Sequence, residues 1–293
     1  APIVRATALT LAQPHLQAQA LPALRKLLAH TDPLLRASAT GSLEPFDAPT
    51  RVGAAAPLLA DPVRGVRVEA ARVLADVPDE QITMELRSAR TKALQEYVDS
   101  LTEDADWPSS NINLGNLRLR QGRVDEAITA FQRAVLLDAQ LPAAYLNLAD
   151  AYRQARRDTD GEKTLREAIA RMPRNADLHH ALGLLLVRKG DKPVALQSFA
   201  QASRLAPDNA RYAYVQAIAL NSLGKRAEAL ALLRATQARH PDDLDTLNAL
   251  VSIQAEAGDA RGALVYAEKM AVLMPDDPSV RRLLADLKAR AAR

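Results

Sequence analysis

From Pro108 onward, apolar residues fall into pairs of amphipathic stretches, and each pair is closed by a polar turn. The pattern returns every 34 residues. Pro108 and Pro142 are one period apart, and Pro173, Pro207, Pro241 and Pro275 keep the same spacing among themselves. A fixed period of this size marks stacked supersecondary units. The units are 108–141, 142–175, 176–209, 210–243 and 244–277, each predicted as helix, short turn, helix. Proline stops the preceding helix because it lacks an N–H and restricts the residue before it. The Asp or Asn that follows it in RMPRN, LAPDN, RHPDD and LMPDD suits an N-cap. Gly122, Gly190, Gly224 and Gly258 lie in the turn inside their units, where the chain needs a left-handed residue; the second unit has Arg156 there.

Small residues recur where helices must touch. Gly115, Ala149, Gly183 and Ala217 hold the eighth place of four units, and Val251 takes it in the fifth. Ala127, Gly161, Ala195, Ala229 and Ala263 hold the twentieth place. Leu114, Leu148, Leu182 and Leu250 fill the seventh place, and Phe131, Leu165, Phe199 and Leu233 the twenty-fourth. Tyr145 keeps an aromatic at the fourth place and Tyr152 at the eleventh, where Leu186 and Leu220 follow and Arg118 and Gln254 depart from the pattern. This arrangement resembles the tetratricopeptide (TPR) repeat. It implies an all-α fold, a right-handed α-solenoid with an aliphatic seam. The run 278–293 supplies a cap helix, with Val280, Leu283, Leu284 and Leu287 on one side. Such a cap is expected because a terminal repeat has no outer neighbour.

Residues 1–77 repeat differently. PIVRATAL, PLLRASAT and RGVRVEAA align so that Arg5, Arg36 and Arg67 are 31 residues apart. Asp32-Pro33 and Asp61-Pro62 precede the second and third copies. This resembles HEAT repeats, with the first one cut. The aligned arginines are expected to pair with acidic residues of the same or a neighbouring turn and hold the stack together. Residues 78–107 join the two arrays. Ala93 and Tyr97 lie one 34-residue period before Ala127 and Phe131, so the helix there reads as half of a degenerate TPR unit. Trp107 is expected to pack at this junction.

Composition narrows the chemistry. The 293 residues contain no cysteine, which excludes disulfides, thiolate metal sites, a cysteine nucleophile and covalent haem attachment within them. Apolar residues make up 48% but aromatic ones only 3%, and the charge balance is +3. That leaves little for base stacking, so no nucleic-acid partner is expected. No apolar run is long enough to span a membrane. Ala1 opens inside a helix-like run without a leader pattern, and the expectation is a fragment or processed product. No phosphate loop, dinucleotide fingerprint, nucleophile elbow or HExxH pair is present. Adjacent His179 and His180 point about 100° apart on a helix and cannot grip one metal together. An enzyme is not expected, nor a metal or cofactor in this chain.

What remains is shape. Stacked helical hairpins offer a groove for a protein or peptide partner. Resemblance to TPR proteins implies which places face that groove. Here they include Asn113, Asn116, Arg120, Asn147, Asp150, Arg153, His180, Leu184, Tyr214 and Asn221. Asn116 and Asn147 match two members of the carboxylate clamp of chaperone-binding TPR domains. Ile112 and Asp177 replace its lysines, which argues against that ligand. His179 is expected to pack toward the neighbouring helix and His180 to face the groove.

The runs NLGNLRLRQGRVDEAITAFQRAVLLD (113–138), PAAYLNLADAYRQARRDTDGEKTLREAIARMP (142–173), LHHALGLLLVRKG (178–190) and APDNARYAYVQAIALNSLGKRAEAL (206–230) also resemble the C-terminal half of bacterial exported multihaem c-type cytochromes. That likeness implies a periplasmic location. It also implies a structural or docking arm toward a haem-bearing domain or subunit that this chain lacks.

Overall fold

The computed structural model describes residues 1–292. Among the described residues the fold is all-α, an α-solenoid of helical hairpins, with seventeen α-helices, short 3-10 turns and no strand. It divides into two compact units, the first ending at Asp138 and the second beginning at Ala139. The division falls in the turn between the first and second 34-residue periods.

The first unit contains α1 (Pro2–Ala12), α2 (Leu21–Leu28), α3 (Pro33–Gly41), α4 (Ala48–Ala55), α5 (Arg64–Val73), α6 (Met84–Glu103), α7 (Pro108–Arg120) and α8 (Val124–Leu137). Aliphatic groups make its core: Leu24, Ala39, Leu43, Ala55, Ala70 and Leu74 are buried in one cluster. Arginines tie the turns to it. Arg36 donates to the carbonyls of His30 and Thr31 and forms a two-pronged pair with Asp61 at 2.7 and 3.0 Å. Arg67, 31 residues on, repeats the gesture toward the carbonyls of Asp61 and Pro62, and its carboxylate partner is Glu96 on α6. Arg51 and Arg90 reach inward in the same way, to the carbonyl of Val73 and to those of Leu74 and Val77. A guanidinium suits this task, because its fork satisfies several oxygens at once.

Trp107 corrects an expectation. Its side chain is 66% exposed rather than packed. The turn is held instead by Asn111, a buried amide that donates to the carbonyls of Ala105 and Trp107.

The second unit contains α9 (Pro142–Gln154), α10 (Asp158–Arg171), α11 (Ala176–Arg188), α12 (Lys192–Leu205), α13 (Ala210–Ser222), α14 (Arg226–Arg239), α15 (Leu244–Glu256), α16 (Ala260–Leu273) and α17 (Pro278–Ala291). Odd- and even-numbered helices alternate as the two arms of hairpins. Asn175, Asn209, Asp243 and Asp277, all just past the periodic prolines, accept a backbone N–H at the starts of α11, α13, α15 and α17. The four turn glycines have φ between +71° and +87°, and Arg156 takes the same left-handed conformation at +57°. Val280 and Leu287 of α17 are buried against Val251, Ala263, Ala267 and Met270.

Candidate functional site

The most continuous candidate surface lies on α9, α11 and α13. These helices share one register, so residues 34 apart occupy the same face. Leu146, Asp150 and Arg153 of α9 face Leu184 and Arg188 of α11 across a cleft of about 240 Å³ whose floor includes Ala149, Leu165 and Leu185. Leu184, Val187 and Ile218 stay exposed along this face, at 46%, 44% and 40%. Tyr214 of α13 is half-buried and packs against the cluster of Ala217, Leu220 and Leu233.

Polar groups frame the apolar strip. Asn147 and Asn221 are half-buried, and among the described residues none offers their side-chain amides a hydrogen bond. Each can therefore donate to and accept from a ligand backbone. Asp150 is committed to Arg153 at 2.6 Å and to Gln154 at 3.0 Å. Arg188 forks onto Asp158 with contacts of 2.7–3.0 Å, linking α11 to α10. That guanidinium holds the Asp158 carboxyl below the usual carboxylate range. Lys189 and Arg166 do the same for Glu162.

His180 is partly open on this face. It is half-buried, its ring 4.9 Å from that of Tyr212 and 5.7 Å from that of Phe199, and its Nδ1 is buried without a partner. The reason is local crowding, since Tyr212 comes forward from α13 to hydrogen-bond Asp177. Burial first, and the nearby Arg211 second, push the His180 pKa down, against a smaller opposing pull from Asp177. Burial and then the Asp177 bond raise that of Tyr212 to about 12. His179 points elsewhere, toward the carbonyl of Pro173 at 2.9 Å.

Three of the sequence-derived candidates belong to the first unit. Asn113 and Asn116 are exposed on α7. Arg120 is engaged by Glu44, a residue 76 positions earlier, which Arg72 also contacts at 2.7 Å. Arg188 belongs with the inward-facing residues that the sequence indicates, but Val187 and the Asp158 partner of Arg188 do not, and nothing local points to Asp158. Among the described residues no cluster of three His, Asp or Glu side chains is placed to hold a metal ion. None of their helices is long and apolar enough to cross a membrane.

This geometry is that of a helical-repeat array, and comparison with known proteins agrees. A family model described as "TPR repeat" matches residues 115–155, and one described as "Tetratricopeptide repeat" matches residues 180–244. The chain contains tetratricopeptide repeats, an architecture that supports a protein–protein interaction scaffold and is typically non-catalytic. Among curated proteins, "Cellulose synthase 2 operon protein C" of Komagataeibacter xylinus is 33% identical over 147 residues, covering 48% of this chain and 11% of its own length. "Protein FlbA" of Caulobacter vibrioides is 27% identical over 139 residues, covering 47% of this chain and 23% of its own. The chain thus spans less than a quarter of either relative. Yeast Tom70 superposes with a TM-score of 0.60 at 19% identity, over 94% of this chain and 58% of that one, a likeness of fold.

Proposed function

We propose that the chain is a non-catalytic scaffold that captures an extended peptide or helix of a protein partner along α9, α11 and α13. The observation that carries this is the exposed strip of Leu184, Val187 and Ile218, bordered by the uncommitted amides of Asn147 and Asn221. Each of these aliphatic groups is already about half covered, so finishing its burial is worth about 1 kcal/mol. Three such groups and a few amide bonds give a binding strip without demanding one sequence. The test starts from the partner that co-purifies with the chain from its native host. Its affinity is then measured for Leu184→Asp combined with Ile218→Asp. A loss of about tenfold or more with unchanged melting supports the strip; unchanged affinity refutes it.

The N-terminal unit serves in this reading as HEAT-like support, favoured by the 31-residue repetition of the Arg36 and Arg67 bonding pattern. The chain itself carries no cofactor in this reading. A second reading is a docking arm for a haem-bearing domain or subunit in the periplasm. Its support is the resemblance of residues 113–230 to the repeat half of exported multihaem cytochromes. Several CxxCH motifs encoded upstream of Ala1 would favour it, and an unrelated upstream domain would remove it.

A further inference from the structure

The first unit holds a larger cavity, of about 670 Å³, between the 75–79 turn, one side of α6 and the C-terminal end of α7. Its apolar wall is Leu94 and Val98, and the wall toward α7 is cationic, with Arg118, Arg120 and Arg123. Arg118 occupies the eleventh place of its period, where the next three units bury Tyr152, Leu186 and Leu220 and the last buries Gln254. Its own side chain is only 16% exposed. A guanidinium in a seam position costs desolvation that leucine would not.

Two of these cations outnumber their acid; the cavity's own Asp76 is taken by Arg51 and its Asp79 by Arg90. Arg118 lies 3.3 Å from Glu126, and Arg123 uses that same carboxylate. Two guanidiniums therefore share one negative charge. Arg120 is matched by Glu44, because Arg72, which also touches Glu44, has Glu69 as a partner of its own. On the opposite wall Arg90 is saturated by Asp79 and by backbone carbonyls, so it neither adds to nor offsets the excess. Arg118 also donates to the Gln121 amide oxygen at 2.9 Å, which adds no negative charge; burial first, then the charge of Arg123, lower its pKa against the pull of Glu126.

We propose that this cavity is a second binding site, which receives carboxylate side chains of an acidic peptide segment of a protein partner. Arg118 and Arg123 take the carboxylate, and Leu94 and Val98 take an adjoining apolar side chain. A peptide fits better than a nucleic acid because the cavity has an aliphatic wall and no aromatic platform for a base. The site is separate from the strip on α9, α11 and α13, so the two succeed or fail independently.

The test uses the whole chain and a fluorescein-labelled peptide of alternating Glu and Leu, with its Gln-for-Glu analogue as control. Anisotropy should show saturable, salt-sensitive binding of the first and binding weaker by about tenfold or more for the second. Arg118→Leu restores the seam residue of later units. It should keep or raise the melting temperature while abolishing peptide binding, a split that a merely structural arginine would not produce. Arg123→Gln, on an accessible side chain, should weaken binding by itself. Leu184→Asp with Ile218→Asp should leave it intact. Equal binding of the Gln analogue, unchanged affinity in both arginine variants, or loss in the Leu184/Ile218 variant would overturn the proposal. So would displacement by a single-stranded oligonucleotide at matched charge.

Discussion

Gly183 of α11 lies directly against the ring of Phe199 of α12: a Cβ built on its backbone would sit 2.5 Å from Phe199 Cδ1. Gly115 and Phe131 stand in the same relation, at 2.7 Å. In the next periods the pair becomes Ala149 with Leu165 and Ala217 with Leu233, and in the last Val251 with Ala267. The eighth and twenty-fourth places therefore trade volume, as a close-packed hairpin requires. Gly183→Ala gains about 1 kcal/mol of helix propensity. It also forces a methyl into a ring that is 2% exposed and cannot swing away. Overpacking of this kind costs about 1–3 kcal/mol, and so severe a contact lies at or beyond the upper end. The expected net loss is about 2 kcal/mol or more by urea unfolding. Adding Phe199→Leu recreates the Ala/Leu pair and should recover most of it. A neutral single variant would show that the hairpin can spread at no cost.

The Arg36–Asp61 pair makes a second, different claim on stability. Its side chains are 12% and 5% exposed, and Arg36 also satisfies two carbonyls. Asp61 is held below the usual carboxylate range chiefly by its bond to Arg36. Removing only the arginine leaves a shielded carboxylate without its partner. Arg36→Ala is therefore expected to cost about 2–3 kcal/mol. Arg36→Ala with Asp61→Ala should cost clearly less than the sum of the two single variants, because each single change counts the same broken pair. Additive losses in this cycle would mean that the carbonyl contacts, not the ion pair, do the holding.

How much of this was legible beforehand follows the range of the interactions. Proline spacing, cap residues and turn glycines act within a few residues, and the 34-residue beat made them readable without coordinates. The left-handed Arg156 was readable as well, since it stands where the other units place glycine. The trade of volume between Gly183 and Phe199 is written in the sequence, but it has meaning only once those two places are known to touch. The bond from Arg120 to Glu44 spans 76 residues and reaches outside the 34-residue array, so that periodicity could not announce it. Trp107 failed for a related reason: residue type argued for burial, while the buried Asn111 amide decided where the turn could turn. The place of His180 in the period indicates its face but not its ring contacts, which depend on Tyr212 one repeat later.

That crowding at His180 has a pH consequence. Its pKa lies below the ordinary value near 6.5 because burial, and then Arg211, disfavour the charged ring. The buried Nδ1 would also become a donor with no acceptor among the described residues. The unfolded chain therefore takes up a proton at a higher pH than the folded one. Its contribution to stability is complete above the ordinary histidine pKa and is lost as pH falls from there through the folded value. The paired carboxylates, Asp61, Asp158 and Glu162, are held low, so their own contributions are whole above the ordinary carboxylate range and are lost as pH falls from it through the folded values. The two windows are separable. His180→Phe keeps an aromatic ring between Tyr212 and Phe199 but cannot titrate. Urea midpoints followed from pH 7.5 down to pH 5.5, roughly one unit either side of the free histidine value, should fall further for the wild-type chain than for this variant. Parallel curves would mean that the ring takes its proton as easily in the fold as in the open chain.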